Sequence, residues 1–375
     1  MIKFSNNQLS FFSLSIPDFL SQKLMRLGRR FLFLYCILSI VSLSSTAQTP
    51  LAGSPGNYSR IGTDAYSLSV GNATVASPDN FAVGFESPAL TGLIRKNYYQ
   101  ATTFSRGLDR NLYSIYGQNL LGAAASVSYG ILYSKTGNID GRDSDGKHTK
   151  NYETTEATGL FNFSLKPRNM NFTVGLNLKW RYADFFEDVP STSVWAVDFG
   201  IAYPLLDEKL IIALSIQDIN SNYRWDTKEI YGENGNQKTD KFPVRIRFGA
   251  SYQLPEYQLT VLSELENWSY EAEQRDFKIT DGNFPVTELT ITGTKKYSGQ
   301  FLKAGLVWKP MEETEFRAGM DRFDLTYNDV DPKFGFGFRY NHLTGKFKPS
   351  IDFAYIIEPI GPQNTFVLSL GFQVL

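Results

Sequence analysis

The sequence contains one cysteine, Cys36, and two histidines, His148 and His342. Because Cys36 lies in a segment that we expect to be removed, the mature chain has no disulfide framework, no thiolate metal site and no cysteine nucleophile. Both histidines fall in predicted connectors, and neither has a nucleophile motif or metal-ligand spacing beside it. The sequence therefore predicts no enzyme, no cofactor and no metal site.

The chain also has almost no net charge and few long apolar runs. The formal net charge of the 375 residues is −1, so no basic excess indicates a nucleic-acid partner. Aromatic residues, in contrast, make up 15% of the chain, although its mean hydropathy is −0.24. Apolar residues dispersed singly among polar ones are typical of a membrane β-barrel.

The N-terminal region holds the longest apolar run. From Met25 the chain reads MRLGRR, FLFLYCILSIVSL and SSTAQ, which gives a basic region, an apolar core and small residues before a cut after Ala47. The core has roughly a dozen residues, whereas a spanning helix needs about 20. We therefore expect residues 1–47 to be an upstream extension and a cleaved signal peptide. The alternatives are a retained anchor or, through Cys36, a lipoprotein, although Tyr35 stands where a small residue would be expected.

After residue 50, segments of about ten residues alternate apolar and polar side chains with the period of a β-strand. In 172–182, for example, Leu176 and Trp180 share an apolar face, and Asn177 lies on the opposite face. The pattern predicts 14 strands, near 97–106, 110–118, 120–135, 153–166, 169–183, 193–205, 208–219, 241–254, 257–270, 298–310, 314–326, 333–343, 347–358 and 364–375.

The connectors between these segments alternate in length. The short ones are 166–169, 205–208, 254–257, 310–314 and 343–347, and most of the long ones are polar, at 136–152, 184–192, 220–240, 271–297 and 327–332. Outer-membrane barrels have short periplasmic turns and long outer loops. We therefore predict an all-β fold, a 14-stranded antiparallel transmembrane β-barrel over residues 96–375.

A soluble barrel or sandwich is the alternative, because its strands alternate as well. Tryptophan and tyrosine at the ends of the apolar faces favour the membrane, since these rings are suited to the headgroup level. They are Trp180, Tyr182, Trp195, Tyr203, Tyr252, Trp308 and Tyr340.

Charged residues fall consistently on the face opposite the apolar one. Each charge in hydrocarbon would cost about 2–4 kcal/mol near the midplane, so their absence from the apolar face supports this register. The charges predicted to face the lumen are Lys179, Arg181, Asp198, Arg245, Arg247, Glu264, Glu266, Lys303, Arg317, Asp321, Arg339 and Asp352. They either form a pathway or docking surface for polar groups, or hold the lumen through ion pairs and water.

One loop run, IDGRDSDGKHTKNYE, contains Asp140, Asp143 and Asp145. This spacing has a faint likeness to an oxygen-ligand calcium loop, but the distal Glu and the flanking helices of an EF-hand are missing. A solvated loop is the favoured interpretation.

Residues 48–95 are rich in Gly, Ser, Pro and Asn and lack sustained alternation. We expect them to fold into the lumen as a hatch; the alternative is a flexible periplasmic leader. The run SLSVGNATVASPDNFAVGFESPALTGL resembles the N-terminal signature of the PorV/PorQ-like group in the FadL superfamily, which has a Gly-Gly-Ala element, an acidic pair and Asn-Pro-Ala. Each element departs by at least one residue, and the matching positions are Gly71, Asn72, Ala73, Asp79, Asn80, Ser87, Pro88 and Ala89.

The resemblance implies a 14-stranded outer-membrane barrel with an N-terminal hatch. PorV-like and PorQ-like members serve type IX secretion in Bacteroidetes, so the resemblance implies a non-enzymatic component that binds or shuttles exported cargo at the cell surface. Its partners would be outer-membrane lipid, secreted cargo proteins and other secretion subunits. The alternative function is a FadL-like channel that takes up hydrophobic small molecules.

Overall fold

The computed structural model describes residues 50–185, 187–228, 237–279, 287–326, 331–359 and 364–374. The predicted signal peptide and its cut after Ala47 lie outside the described residues. Residues 50–96 form short 3-10 turns and the five-residue helix α1 (Ala65–Ser69). No helix among the described residues is long and apolar enough to span a bilayer.

The remaining described residues are almost entirely strands and their connectors. The strands are β1 (Asn97–Ser105), β2 (Arg110–Leu121), β3 (Ala125–Arg142), β4 (His148–Leu165), β5 (Thr173–Asp184), β6 (Thr192–Leu205), β7 (Leu210–Ile219), β8 (Asn222–Asp226), β9 (Gln237–Lys241), β10 (Val244–Leu254), β11 (Leu259–Ile279), β12 (Thr287–Trp308), β13 (Thr314–Asp324), β14 (Lys333–Asn341), β15 (Phe347–Ile357) and β16 (Thr365–Val374).

Fourteen of these described strands pair in chain order into one closed antiparallel barrel, and β8 and β9 form a separate two-stranded sheet. Strand β1 closes the ring by pairing with β16, from Asn97 opposite Val374 to Ser105 opposite Phe366. Closure leaves the barrel wall without an edge, which satisfies the backbone groups where hydrocarbon offers no partner. The predicted fold class is confirmed.

The predicted register is visible in the exposure of the side chains. On β5, Leu176 and Leu178 are 50% and 41% exposed on the outside of the barrel, whereas Asn177 between them is fully buried. The tryptophans Trp180, Trp195 and Trp308 also face outward. A soluble sandwich would bury its apolar faces, so this inside-out arrangement fits a wall surrounded by lipid.

The two ends of the barrel differ. One end, named the short-turn end, carries the compact connectors and the first and last residues of the barrel, Asn97 and Val374. The opposite end is named the long-loop end. At the long-loop end, pairing of β3 with β4 continues to Arg142 opposite His148, and pairing of β11 with β12 continues to Ile279 opposite Thr287.

Most residues of the predicted connectors 136–152 and 271–297 therefore lie in strands. The predicted connector 220–240 includes most of the β8–β9 pair. The prediction was wrong there because alternation was its only signal. Where strands leave the barrel, neither face has to be apolar, so the period-two pattern disappears while the backbone pairing continues.

Candidate functional site: the hatch and the lumen wall

The lumen is occupied by residues 50–96, here named the hatch, most of which are buried. Its helix α1 begins with a capping box: Asp64 Oδ1 accepts from Ser67 N at 2.7 Å, and Ser67 Oγ accepts from Asp64 N at 3.1 Å. The second carboxylate oxygen of Asp64 accepts from Gln100 Nε2 on β1 at 3.2 Å. The residue that starts the helix thus also attaches it to the barrel wall.

Glycines on the inner face of the wall let the hatch backbone come close. A Cβ added to Gly175 would overlap the carbonyl oxygen of Pro88, and one added to Gly319 would overlap the carbonyl carbon of Val70. A Cβ at Gly305 or Gly335 would likewise overlap a hatch carbonyl oxygen, that of Val70 or Leu68. Where the contact is with hatch backbone, only glycine fits while the hatch is in place.

The first of three buried ion clusters attaches the wall to the middle of the hatch. Arg247 donates to Glu264 at 2.7 and 3.0 Å and to the hatch residue Glu86 at 2.5 Å. Glu264 Oε2 also accepts from the backbone N–H groups of Thr74 and Val75, both at 3.0 Å. Lys303 completes the cluster by donating to Glu264 and to Glu266 at 3.1 and 2.6 Å. This cluster binds hatch backbone and hatch side chain together.

The second cluster lies on β13, β14 and β15. Asp352 accepts from Arg317 at 3.0 Å and from Arg339 at 2.9 Å. The two guanidinium groups lie 4.9 and 5.0 Å from the ring centre of the hatch residue Tyr66. Arg339 also donates to the carbonyl oxygen of Asp79 at 3.0 Å. Cation–π contact and hydrogen bonding therefore hold the hatch on this side.

The third cluster depends on an irregularity in β7. The pairing of β6 with β7 shifts register between Val197 and Phe199, and Asp218 adopts a φ of 60°. This bulge brings the Asp218 carboxylate to Arg181, and its backbone N–H to Asp198 at 2.9 Å. Arg181 also donates to the hatch residue Ser59 at 3.1 Å.

The structure brings the predicted lumen-facing charges together on the inner wall. All are buried, with exposed fractions of 5% or less. Lys179 pairs with Asp198 at 2.6 Å, and Asp321 accepts from the hatch residue Asn72 at 3.0 Å. These charged side chains therefore form ion pairs with one another and also bind the hatch. A pathway for polar groups along them stays a prediction.

The predicted hatch-motif residues also lie inside the barrel. Gly71 and Asn72 have φ of 63° and 54°, which turns the chain just after α1. The oxygens of Pro88 and Ala89 accept from wall side chains, for example Ala89 O from Thr173 Oγ1 at 2.9 Å. Among the others, Asp79 pairs with Lys309, Asn80 accepts from the backbone of Ala82, and Ala73 and Ser87 are buried.

Aromatic residues at the long-loop end of the lumen were missed by the sequence analysis. Trp268 and Phe301 are 1% and 3% exposed and pack with the hatch residue Leu51, while Tyr270 and Tyr297 stack at 5.4 Å beside them. These four wall residues are named the aromatic mouth. A signal was present, because Trp268 follows Glu264 and Glu266 at the same parity, and Phe301 precedes Lys303 at the same parity.

A second group of missed residues, Tyr223, Trp225 and Phe242, packs with Phe185 at the same end. A Cβ added to the hatch residue Gly56 would collide with the Phe242 ring. Aromatic side chains on β8 and next to β9 therefore cover the N-terminal part of the hatch.

The carboxylates of the acidic loop bind groups of the same loop. Asp143 accepts from the backbone N–H groups of Asp145 and Lys147 at 3.0 and 2.9 Å, and Asp140 pairs with Arg142 and His148. Within the described residues no three acidic, His or Cys groups are placed to hold a metal ion. The arrangement favours the interpretation as a solvated loop.

Comparison with known proteins gives a fold. No family model matches the sequence, and no curated protein matches it. Solved structures do match with about a tenth of the residues identical, and three of them have TM-scores of 0.52 to 0.54. The toluene transporter TbuX of Ralstonia pickettii gives a TM-score of 0.53 at 11% identity, with 84% of this chain and 98% of that chain covered.

Two further structures match equally well. A FadL homologue of Pseudomonas aeruginosa gives a TM-score of 0.54 at 10% identity and covers 83% of this chain and 98% of its own. The toluene transporter TodX of Pseudomonas putida gives 0.52 at 10%, covering 84% and 97%. This chain therefore shares the fold of FadL-like outer-membrane barrels. Within that fold, the narrower resemblance to the PorV/PorQ group has no support from these comparisons.

Proposed function

We propose that this protein is an outer-membrane channel that takes up hydrophobic small molecules, with residues 48–95 acting as its hatch. The outward apolar belt supports a lipid environment, and the alternation of short turns and long loops supports a periplasmic short-turn end. The proteins of like fold include toluene transporters, which supports a hydrophobic cargo. The signal peptide expected from the sequence is part of the same proposal.

The aromatic mouth carries this proposal. Four aromatic side chains line the lumen at the long-loop end, where the outer surface of the cell would be. Burying apolar surface against them stabilises a bound hydrocarbon by about 25 cal/mol per Å², and an aromatic cargo gains further from ring contacts. Leu51 now packs on Trp268 and Phe301, so a bound molecule would replace the hatch side chain there.

Beyond the aromatic mouth, the side chains of the lumen wall change from aromatic to charged. Below Trp268 on β11 come Glu266 and Glu264, and below Phe301 on β12 comes Lys303, all buried in the first ion cluster. A bare hydrocarbon cannot solvate these charges, so they would stay paired while it passes. The cargo would therefore move along the hatch, and the hatch would have to shift.

Uptake of labelled toluene by cells that lack other such channels tests the proposal. We expect W268S/F301S to lower uptake on the order of 100-fold, because each substitution removes an apolar contact of roughly 1.5 kcal/mol. The matched control is Trp195→Ser, which removes a ring that is 60% exposed on the outer face. Equal uptake by the double variant and wild type, at equal membrane yield, would contradict the proposal.

The export role implied by the PorV/PorQ resemblance stays a prediction. A deletion strain separates the two functions. Loss of toluene uptake with normal surface-displayed proteins supports the channel, whereas loss of surface-displayed proteins with normal uptake supports export.

A further inference from the structure

Two cavities lie at the short-turn end, on either side of one hatch segment. The larger, of about 300 Å³, lies against the ends of β6, β7, β10 and β11 and is lined by Ile94, Ile211 and Thr260 among others. The smaller, of about 160 Å³, lies against the ends of β12 to β16. Asp79 and Lys96 line both cavities. The hatch chain around Asp79 is therefore the partition between them.

This partition, residues 78–81, is named the strap. Its Asp79 carboxylate forms an ion pair with Lys309 at the end of β12, and its Asp79 carbonyl accepts from Arg339 at 3.0 Å. The Phe81 ring lies 4.0 Å from the Lys96 ammonium group and 4.9 Å from the Arg339 guanidinium group. These contacts, together with an edge-to-face contact of Phe81 with Tyr98 at 5.0 Å, hold the strap.

The strap ion pair differs in exposure from the Arg247 cluster. Lys309 and Asp79 are 35% and 17% exposed, whereas every side chain in the Arg247 cluster is 8% exposed or less. Water competes well with a partly exposed ion pair, so such a pair contributes little stability. A buried charge that loses its partner is far more costly. The strap ion pair therefore holds the hatch more weakly than the Arg247 cluster does.

We propose that the strap is a gate at the short-turn end, and that the Asp79–Lys309 ion pair holds it closed. When the pair separates, the strap swings on Arg339 and the two cavities join into one opening beneath the hatch. Ile94, Ile211 and Leu93 give this opening an apolar side, and its other side carries charges of both signs, Lys96 and Lys309 beside Glu312 and Glu315. The gate supplies an exit for the proposed channel, but its opening does not depend on which cargo passes.

Conductance of the purified full-length mature protein in planar bilayers tests the gate. We expect Asp79→Asn and Lys309→Gln each to raise the fraction of time spent open about threefold, as loss of one partly exposed ion pair would give. The matched control is Lys135→Gln, which breaks an exposed ion pair with Glu153 at 2.7 Å, away from the hatch.

Thiol labelling gives a second readout that does not need an ion current. The only natural cysteine, Cys36, lies in the predicted signal peptide, so Thr260→Cys would be the single thiol. Thr260 lines the larger cavity and is 5% exposed. A charged thiol reagent should label it about three times faster when Asp79→Asn is also present.

Unchanged conductance and unchanged labelling in both single variants, with heat-modifiable gel mobility like that of wild type, would overturn the gate. Opening of the gate without any toluene uptake would refute the proposed cargo and leave the gate standing.

Discussion

At the scale of single residues, adjacent side chains in one strand have opposite surroundings. Leu176 faces outward and is half exposed, while Asn177 is buried and donates to the hatch carbonyl of Gly84 at 2.9 Å. The sequence pattern alone predicts that an arginine is tolerated better at 177 than at 176. The structure changes this, because Asn177 also contacts Asp198 and Asn162 and leaves no space for a longer side chain.

Arginine at position 176 should therefore affect the protein differently from arginine at position 177. Leu176→Arg puts a charge on the lipid face, costs about 2–4 kcal/mol and should lower the yield of heat-modifiable barrel in the membrane. Asn177→Arg should insert normally but displace the hatch, and so raise conductance. Leu176→Met is the control. Equal membrane yield of Leu176→Arg and Leu176→Met would refute the register.

The glycine contacts predict a further single-residue effect. A Cβ at Gly319 would collide with the Val70 backbone, whereas a Cβ added to Gly137, on the part of β3 beyond the barrel, would meet no atom within 4 Å. Gly319→Val should expel or distort the hatch and raise conductance, and Gly137→Val should have no effect. Protease cleavage within the hatch measures the same change. Equal protection of the hatch in the two variants would show that the contact is dispensable.

At the scale of elements, the accuracy of the sequence prediction follows the surroundings of each strand. Residues 172–182 were predicted correctly because lipid on one side and a polar lumen on the other impose strict alternation. The β8–β9 pair was not predicted, because β8 alternates over only five residues and β9 contains no apolar residue. The hatch contacts could not be predicted either: the bulge at Asp218 and the approach of Val70 to Gly319 depend on tertiary geometry.

The ion clusters connect strands to the hatch, and Arg247 tests their contribution. Arg247→Met leaves Glu264 and Glu86 buried without their main partner, which should lower the free energy of unfolding by about 3–5 kcal/mol. The control is Lys150→Met, which breaks an exposed pair with Glu187 and should change it by less than about 1 kcal/mol. Urea unfolding in detergent measures both. Similar midpoints for the two variants would mean that the Arg247 cluster contributes nothing.

At the scale of the whole molecule, the lumen wall contains buried ion pairs that do not involve the hatch. Several ion pairs join wall strand to wall strand, including Lys179 with Asp198, Lys303 with Glu266 and Arg339 with Asp352. Because both partners sit on the barrel, these pairs do not need the hatch. The proposed channel requires this property, since an unpaired buried charge would oppose a shift of its plug.

Removal of residues 50–95 should therefore leave a folded barrel with an open pore. Wall pairs stay intact, while Glu264 loses the backbone N–H groups of Thr74 and Val75 and becomes hydrated instead. We expect liposomes containing the deleted protein to swell in sugar solutions, whereas those with the intact protein do not. Because acidic and basic residues alternate along the wall, the open pore should distinguish weakly between anions and cations, which reversal potentials in a salt gradient measure. A deleted protein that inserts but conducts no more than the intact one would show that the barrel closes without its hatch.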